Sequence, residues 1–252
     1  TGNPIEVVEG DLLDAAAGDF CLTLDTDDQG LVKEGYLLRI GNVEVVEAAE
    51  ATGAYWGTVS ILQILKQTGG MIAKGIARDY PKYDVRGFSL DVGRKPFSMD
   101  TVKQFAKNMS WYKLNSFQVH LSDDLIFMED YYNDSEDKSK DAVLNLTKEN
   151  AYSGFRLESS LVNEETGVSL TSEDMYYTKD EFRSFIKDSR TIGVDIVPEI
   201  DMPAHALAIT RVFPEYMSWD WISSTHRPII DELDLTNPES TELAKRIWND
   251  YF

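Results

Sequence analysis

Cysteine is almost absent from this 252-residue chain. Cys21 stands alone, so no internal disulfide can form, and with no histidine in its own segment it reads as a small apolar residue rather than a nucleophile. Positive charge is also short. Lysine and arginine total 24 against 44 acidic residues, a net charge of −20 at pH 7, and such a field repels polyanions, arguing against nucleic acid and anionic membrane surfaces as partners. Histidine occurs three times. His226 lies in a loop without a ligand-spaced neighbour, so no three-histidine metal site is expected. No run of about 18 apolar residues and no charged-then-apolar leader occurs, which predicts neither membrane insertion nor a visible signal peptide.

What remains is a globular composition, 42% hydrophobic, enough for one or two domains. Residues 1–82 form the first expected domain. Phe20–Asp25, Tyr36–Ile40 and Val43–Val46 are strand-like, with turn signals at Gly30 and Gly41-Asn42. A helix follows from Thr52 to about Gln67, its apolar face drawn through Tyr55, Val59, Leu62 and Leu65 and its end at Gly69-Gly70. Together these make a small α+β domain.

From Val85 strands alternate with helices, so residues 83–252 read as α/β with right-handed parallel crossovers. Phe88–Val92, Ser116–Leu121 and Val194–Ile200 are the strands. Ser98 caps a helix faced by Val102, Phe105, Ala106 and Met109. Thr178 and Glu181 are spaced as a capping box for the next, which stops at Gly193, and Asn237-Pro238 opens the last. A helix is also expected from Pro203. Between the second strand and its helix, residues 125–177 exceed the usual βα loop by far, and the acid-crowded part at 129–141 lacks the glycine of a calcium loop. An open sheet would fit the available length, whereas a closed eight-stranded barrel typically needs about 250 residues.

The stretch Gly193–His205, GVDIVPEIDMPAH, is the centre of this half. Its apolar run ends at Asp201, and His205 follows four residues later at the same strand-to-helix corner, the end where α/β proteins bind ligands. Asp123-Asp124 leave the second strand at the same end. Carboxylates gathered and desolvated there acquire separated pKa values suited to acid–base work. Asp201 as a helix cap and Asp124 as a turn residue are the competing readings. His120, alternating with Phe117 and Val119, reads as structural, and Asp91-Arg94 as a buried ion pair. Trp219 and Trp221 suit either sugar stacking or core cover.

VRGFSLDVGR at Val85–Arg94, KLNSFQVHLSDD at Lys113–Asp124 and VDIVPEIDMPAH at Val194–His205 resemble, in order and spacing, the barrel signatures of the family 20 glycoside hydrolases, the β-N-acetylhexosaminidases. EGYLLRI at Glu34–Ile40 and TGAYWGTVSILQIL at Thr52–Leu65 resemble the small domain that precedes the barrel there. The resemblance implies a small α+β domain followed by the first strands and helices of a (β/α)8 TIM barrel, with no cofactor and no metal. It implies retaining hydrolysis in which the substrate's acetamido oxygen is the nucleophile, a glutamate is the acid and an adjacent aspartate orients the acetamido group.

By the same resemblance Arg86 holds sugar hydroxyls, Asp123 and His205 form a relay toward the acid, and Asp201 lies beside the pocket. The family's Asp-Glu pair would follow the helix at Asn237, and neither Asp180-Glu181 nor Asp231-Glu232 fits it, so the 252-residue chain is expected to be inactive alone. Leu125-Ile126-Phe127 after the paired aspartates, GFRLESS at Gly154–Ser160, Ala204 before the histidine and Gly93-Arg94-Lys95 resemble the lacto-N-biosidase branch, whose substrate is an oligosaccharide ending in Gal-β1,3-GlcNAc. Members of the family are mostly extracellular or surface-attached, which sets the expected location.

Overall fold

In the computed structural model, residues 6–124, 154–219 and 228–252 are described. Trp221, His226 and the acidic stretch 129–141 therefore lie outside the described residues. The chain divides after Arg86 into two units.

In the first unit, β-branched, aromatic and leucine-rich runs form β1 (Phe20–Thr23), β2 (Tyr36–Ile40) and β3 (Glu44–Ala48), and with β4 (Gly75–Asp79) they lie in the order β1-β3-β2-β4. β1 runs parallel to β3, while β2 is antiparallel to β3 and β4. The sequence gives little sign of β4, because GIARD has no apolar alternation and every residue in it is exposed. One helix, α1 (Ala51–Thr68), packs on this sheet. Its buried face is only partly the expected one, with Val59 buried as expected. Leu62 is 54% exposed, and the packed stripe runs through Gly53, Gly57 and Ile61. A Cβ on Gly53 would stand 2.3 Å from the Gly35 carbonyl oxygen, and one on Gly57 2.4 Å from Val46 Cγ1. Glycine carries no hydrophobic signal, yet here it lets helix and sheet touch, which outweighs its helix cost of about 1 kcal/mol.

The second unit is built on β5 (Gly87–Asp91), β6 (Ser116–His120) and β7 (Asp195–Glu199), a parallel three-stranded sheet in sequential order. Two helices connect them. Ser98 Oγ accepts from Thr101 N to start α2 (Met99–Trp111), and Thr178 Oγ1 accepts from Glu181 N to start α3 (Lys179–Thr191). One face of the sheet carries Phe117, Val119 and Ile196 into a core shared with Val102, Met109, Phe182 and Phe185. Phe117 is fully buried and meets Phe185 edge-on at 6.3 Å, so its truncation would cost about 3–5 kcal/mol. These are the opening βα units of a (β/α)8 barrel, an α/β arrangement following the small α+β unit.

Two expectations need correction. No helix starts at Pro203. Residues 203–205 form a bend, and the short α4 begins only at Leu207 (Leu207–Thr210), because the Pro203 carbonyl accepts from Leu233 N and Ala206 N donates to the Asp231 carbonyl. Their backbone thus pairs with β9 (Pro228–Leu233), which forms a two-stranded antiparallel ladder with β8 (Met217–Trp219). Nor is all of 125–177 a loop. Bridges join Leu157 to Tyr177 and Val162 to Ser169, and Phe155, Leu157, Leu170 and Tyr177 enter the core. The last helix, α5 (Pro238–Asn249), is capped by Asn237 as expected.

Candidate active site

Strand register assembles the site. Asp91, His120 and Glu199 are direct neighbours across β5, β6 and β7. Parallel pairing places neighbouring residues on the same face, so this last rung is polar on the face opposite Phe117 and Val119. His120 belongs to it because alternation turns it away from its apolar neighbours. Its Nδ1 lies 2.7 Å from Glu199 Oε2 and its Nε2 2.6 Å from Asp123 Oδ2. With a carboxylate on each nitrogen both must donate, which defines the imidazolium. The Asp123 bond, resisted by burial and joined by Glu199, holds its pKa at about 9.

Asp123 is buried at the end of β6. Besides His120, its carboxylate accepts from Arg94 Nη1 at 2.5 Å, His205 Nδ1 at 2.9 Å and Asp124 N at 2.6 Å. Burial would raise its pKa, but these donors, His120 foremost, outweigh it and hold the carboxyl well below its usual range. Asp124 moves the other way. Burial and the neighbouring Asp123 raise it against the pull of Arg94, whose Nη2 lies 2.9 Å from Asp124 Oδ1. Two adjacent carboxyls are thereby split in acidity, the property that lets one stay ionised while the other carries a proton.

Arg94 gathers these groups from the turn after β5. Its backbone N and Nη1 bond Asp91 at 3.0 and 3.2 Å while the guanidinium reaches Asp123 and Asp124. The expected Asp91–Arg94 pair is present, but it is one side of a larger network. Gly93 makes room for it, since a Cβ there would stand 3.0–3.1 Å from the Ser122 and Asp123 backbone.

His205 sits on the bend after β7 with φ 55°, a left-handed conformation that costs a non-glycine residue about 1 kcal/mol. Its Nδ1 faces Asp123 Oδ1 at 2.9 Å and Asp124 Oδ2 at 3.2 Å, with Arg94 Nη2 at 3.4 Å. Burial opposes the charged ring, but Asp124 and Asp123 raise its pKa despite Arg94. Asp201 follows β7, and its carboxylate comes within 4.8 Å of ligand atoms of His120 and Glu199. Burial raises its pKa, with Glu199 and Asp123 adding to the shift and the two histidines opposing it.

Asp123, Asp201 and His205 therefore meet at one end of the sheet. Arg86 belongs to the first unit, where its guanidinium pairs with Glu34 and donates to the Tyr83 carbonyl at 2.9 Å. Glu34 is in turn fixed by Trp56 Nε1 at 2.7 Å. Asp231, placed in sequence only as preceding the last helix, lies in β9, where burial raises its pKa and Asp124 and His205 are among its electrostatic neighbours. Asp91, His120 and Asp123 also gather ligand atoms within 4.8 Å, as do Asp123, Asp124 and His205. In both sets Arg94 already supplies positive charge to the carboxylates. Sequence reasoning missed the roles of His120, Arg94 and Glu199. For His120 and Glu199 the signal lay in their strands, since in-register parallel pairing brings 91, 120 and 199 together, and Arg94 follows Asp91 by three residues.

Comparison with known proteins agrees with this architecture. Residues 83–251 match the model described as glycosyl hydrolase family 20, catalytic domain, and residues 4–80 match glycosyl hydrolase family 20, domain 2. A lacto-N-biosidase of Bifidobacterium bifidum is 28% identical over 240 residues, covering 94% of this chain and 18% of that protein. A β-hexosaminidase of Vibrio furnissii is 28% identical over 224 residues, covering 86% and 33%. The chain thus spans a third or less of the length of these relatives. Among solved structures, a Flavobacterium johnsoniae chitobiase superposes with a TM-score of 0.62 at 26% identity, covering 86% of this chain and 29% of that one. A family 20 β-N-acetylhexosaminidase of Streptomyces coelicolor gives 0.64 at 21% identity, covering 92% and 45%. With both of its units matched in order, the chain belongs to glycosyl hydrolase family 20.

Proposed function

We propose that this chain supplies the supporting half of the active site of a retaining glycoside hydrolase acting on β-linked N-acetylhexosaminides. The observation that carries the reading is the continuous contact Glu199–His120–Asp123–His205 at the strand ends, with Arg94 across Asp123. A buried imidazolium and a guanidinium hold Asp123 ionised, and Asp123 orients His205 through Nδ1. A proton-dependent bond toward a catalytic acid would then be made by the ring's other nitrogen, Nε2.

In this reading the substrate's acetamido oxygen attacks the anomeric carbon while the leaving oxygen takes a proton from a glutamate. Water then opens the oxazolinium intermediate. Asp201 stands beside the pocket, and Arg86, oriented by Glu34, holds sugar hydroxyls. Asp231-Glu232 lies within β9 and Asp180-Glu181 in the first turn of α3. Neither follows a parallel strand, so neither pair is assigned as the acid, and the described residues are assigned binding and relay roles.

The substrate we favour is a lacto-N-bioside, released as the disaccharide Gal-β1,3-GlcNAc from glycan ends outside the cell. The similarity to a lacto-N-biosidase supports it, as does the intervention of Leu125-Ile126-Phe127 and a long segment before GFRLESS at Gly154–Ser160, where the family's exo-hexosaminidases usually follow the paired aspartates with Gln-Gly-Trp. The test is hydrolysis of chromogenic lacto-N-bioside and GlcNAc glycosides by the intact gene product and by this chain. Preference for the disaccharide with an inactive short chain supports every part. Preference for GlcNAc makes the protein a plain exo-β-N-acetylhexosaminidase, and turnover by the short chain places an acid within it. A folded intact protein that only binds the sugars is a carbohydrate-binding module.

A further inference from the structure

Among the described residues, Arg156 is the one arginine in the group of largest fully buried side chains, 1% exposed, and it touches none of the carboxylates of the site. Its guanidinium spends its donors on backbone. Nε donates to the Val92 carbonyl at 3.1 Å, Nη2 to the Gly93 carbonyl at 3.2 Å and Nη1 to the Met175 carbonyl at 3.0 Å. Its ionic partner, Asp174 Oδ1, is 2.5 Å from Nη1. Its own backbone N bonds the Leu121 carbonyl at 2.9 Å, and Gly154 N bonds the Gly93 carbonyl at 3.1 Å. Gly154 is obligatory for this, since a Cβ there would stand 2.4 Å from Arg156 Cζ.

Arg156 thus grips the turn after β5 with its side chain and the turn after β6 with its backbone. Arg94 leaves the first turn one residue past the gripped carbonyls, and Asp123 leaves the second two residues past Leu121. A surface ion pair with Asp174, whose side chain is 62% exposed, does not account for burying a guanidinium completely. Aligning two turns does, because a guanidinium offers a planar fork of donors that lysine lacks.

We propose that Arg156 is a positioning residue that sets the height of Arg94 against Asp123 and His205. The proposal rests on the reading of that cluster as the active site, and it is tested by a readout independent of turnover.

The measurement is NMR titration of the His205 imidazole in the intact protein, for wild type, Arg94→Met, Arg156→Met and the double variant. His205 faces Asp123 and Asp124 from β6, Arg94 from the β5 turn, Asp201 from the β7 end and Asp231 from β9. Arg94 is the cation next to the His205 ring, with the His120 imidazolium on the far oxygen of Asp123, so displacing Arg94 raises the His205 titration point. Arg156→Met is expected to move it upward, as Arg94→Met does, and the double variant to move it no further than Arg94→Met alone. With substrate, kcat is expected to fall about 10- to 100-fold with KM within about twofold.

A folded Arg156→Met protein with an unmoved His205 titration overturns the proposal and leaves Arg156 a core residue. Additive shifts overturn it as well, since they show action outside Arg94. Should Arg156→Met not fold, Arg156→Lys keeps the charge without the fork and is read in the same way. If the wild type hydrolyses no β-N-acetylhexosaminide, the functional reading fails while the titration still decides the role of Arg156.

Discussion

His120 Nε2 stands 2.6 Å from Asp123 Oδ2, three residues further along the chain and just past the end of the same strand. The pair joins the last rung of the parallel sheet to the carboxylate that meets His205, so sheet register and site electrostatics are set together. With its folded pKa near 9 against an ordinary 6.5, protonated His120 adds stability that is complete below about pH 6.5 and is lost as pH rises through about 9. Denaturant titrations from pH 6 to 10 should show this decline. His120→Gln should flatten it and cost about 3 kcal/mol, by leaving Asp123 and Glu199 short of a charged partner. An unchanged pH slope in the variant would show that His120 is neutral in the fold.

Asp123 has the opposite sign. Its carboxyl is held below the usual range of 3.8, so its share of stability is present above that range and is lost as pH falls below it. Asp123→Asn should reduce acid sensitivity while lowering stability at pH 7. The same substitution should bring the His205 titration down, because an opposite charge has been removed from Nδ1. Calorimetry from pH 2 to 7 and imidazole NMR check the two halves separately.

Gly93 separates a packing effect from a charge effect. A Cβ there would press the Ser122 and Asp123 backbone at 3.0–3.1 Å, so Gly93→Ala must part the β5 and β6 turns by a few tenths of an ångström. The expected cost is about 1–3 kcal/mol in stability. A kcat loss with little change in KM should accompany it if the two turns are functionally linked, measured by steady-state kinetics beside thermal denaturation.

Arg86→Ala and His205→Ala should fail differently in the intact protein. Loss of the Arg86 guanidinium should raise KM about tenfold or more, as expected for charge-assisted hydrogen bonds to sugar hydroxyls. His205→Ala should alter the pH profile of kcat and leave KM nearly unchanged. Unchanged constants for Arg86→Ala would remove it from the pocket. An unaltered profile would make His205 structural.

Asp250 fastens the last helix. It accepts from Lys179 Nζ at 2.7 Å, Ser159 Oγ at 2.8 Å, and Ser160 N and Oγ at 2.8 and 2.6 Å. These bonds overcome burial and hold its pKa at about 2. Its contribution is therefore present above about pH 4 and lost as pH falls through about 2. Asp250→Asn should cost about 2 kcal/mol without altering the pH profile of kcat, a control for the variants above.

Much of this architecture is legible in the residues. Local caps such as Ser98, Thr178 and Asn237 act within one turn, so their helices begin where the sequence places them. Asp123 and His205 were visible because polar residues break an apolar run at a strand end. What stayed hidden depends on partners distant in sequence. His120 reads as a core residue until β5 and β7 are set beside it, and Arg156 gives no sign of its burial because its acceptors are carbonyls 63 and 64 residues away. The bend at Pro203 defeats local reasoning for the same reason, its backbone being paired with β9.

The grip of Arg156 and Gly154 on Leu121 and Gly93 also fixes where the chain re-enters after Asp124. Whatever connects Asp124 to Gly154 starts and finishes at anchored points, so its length bears weakly on the geometry behind it, each doubling adding only about 0.6 kcal/mol of closure entropy.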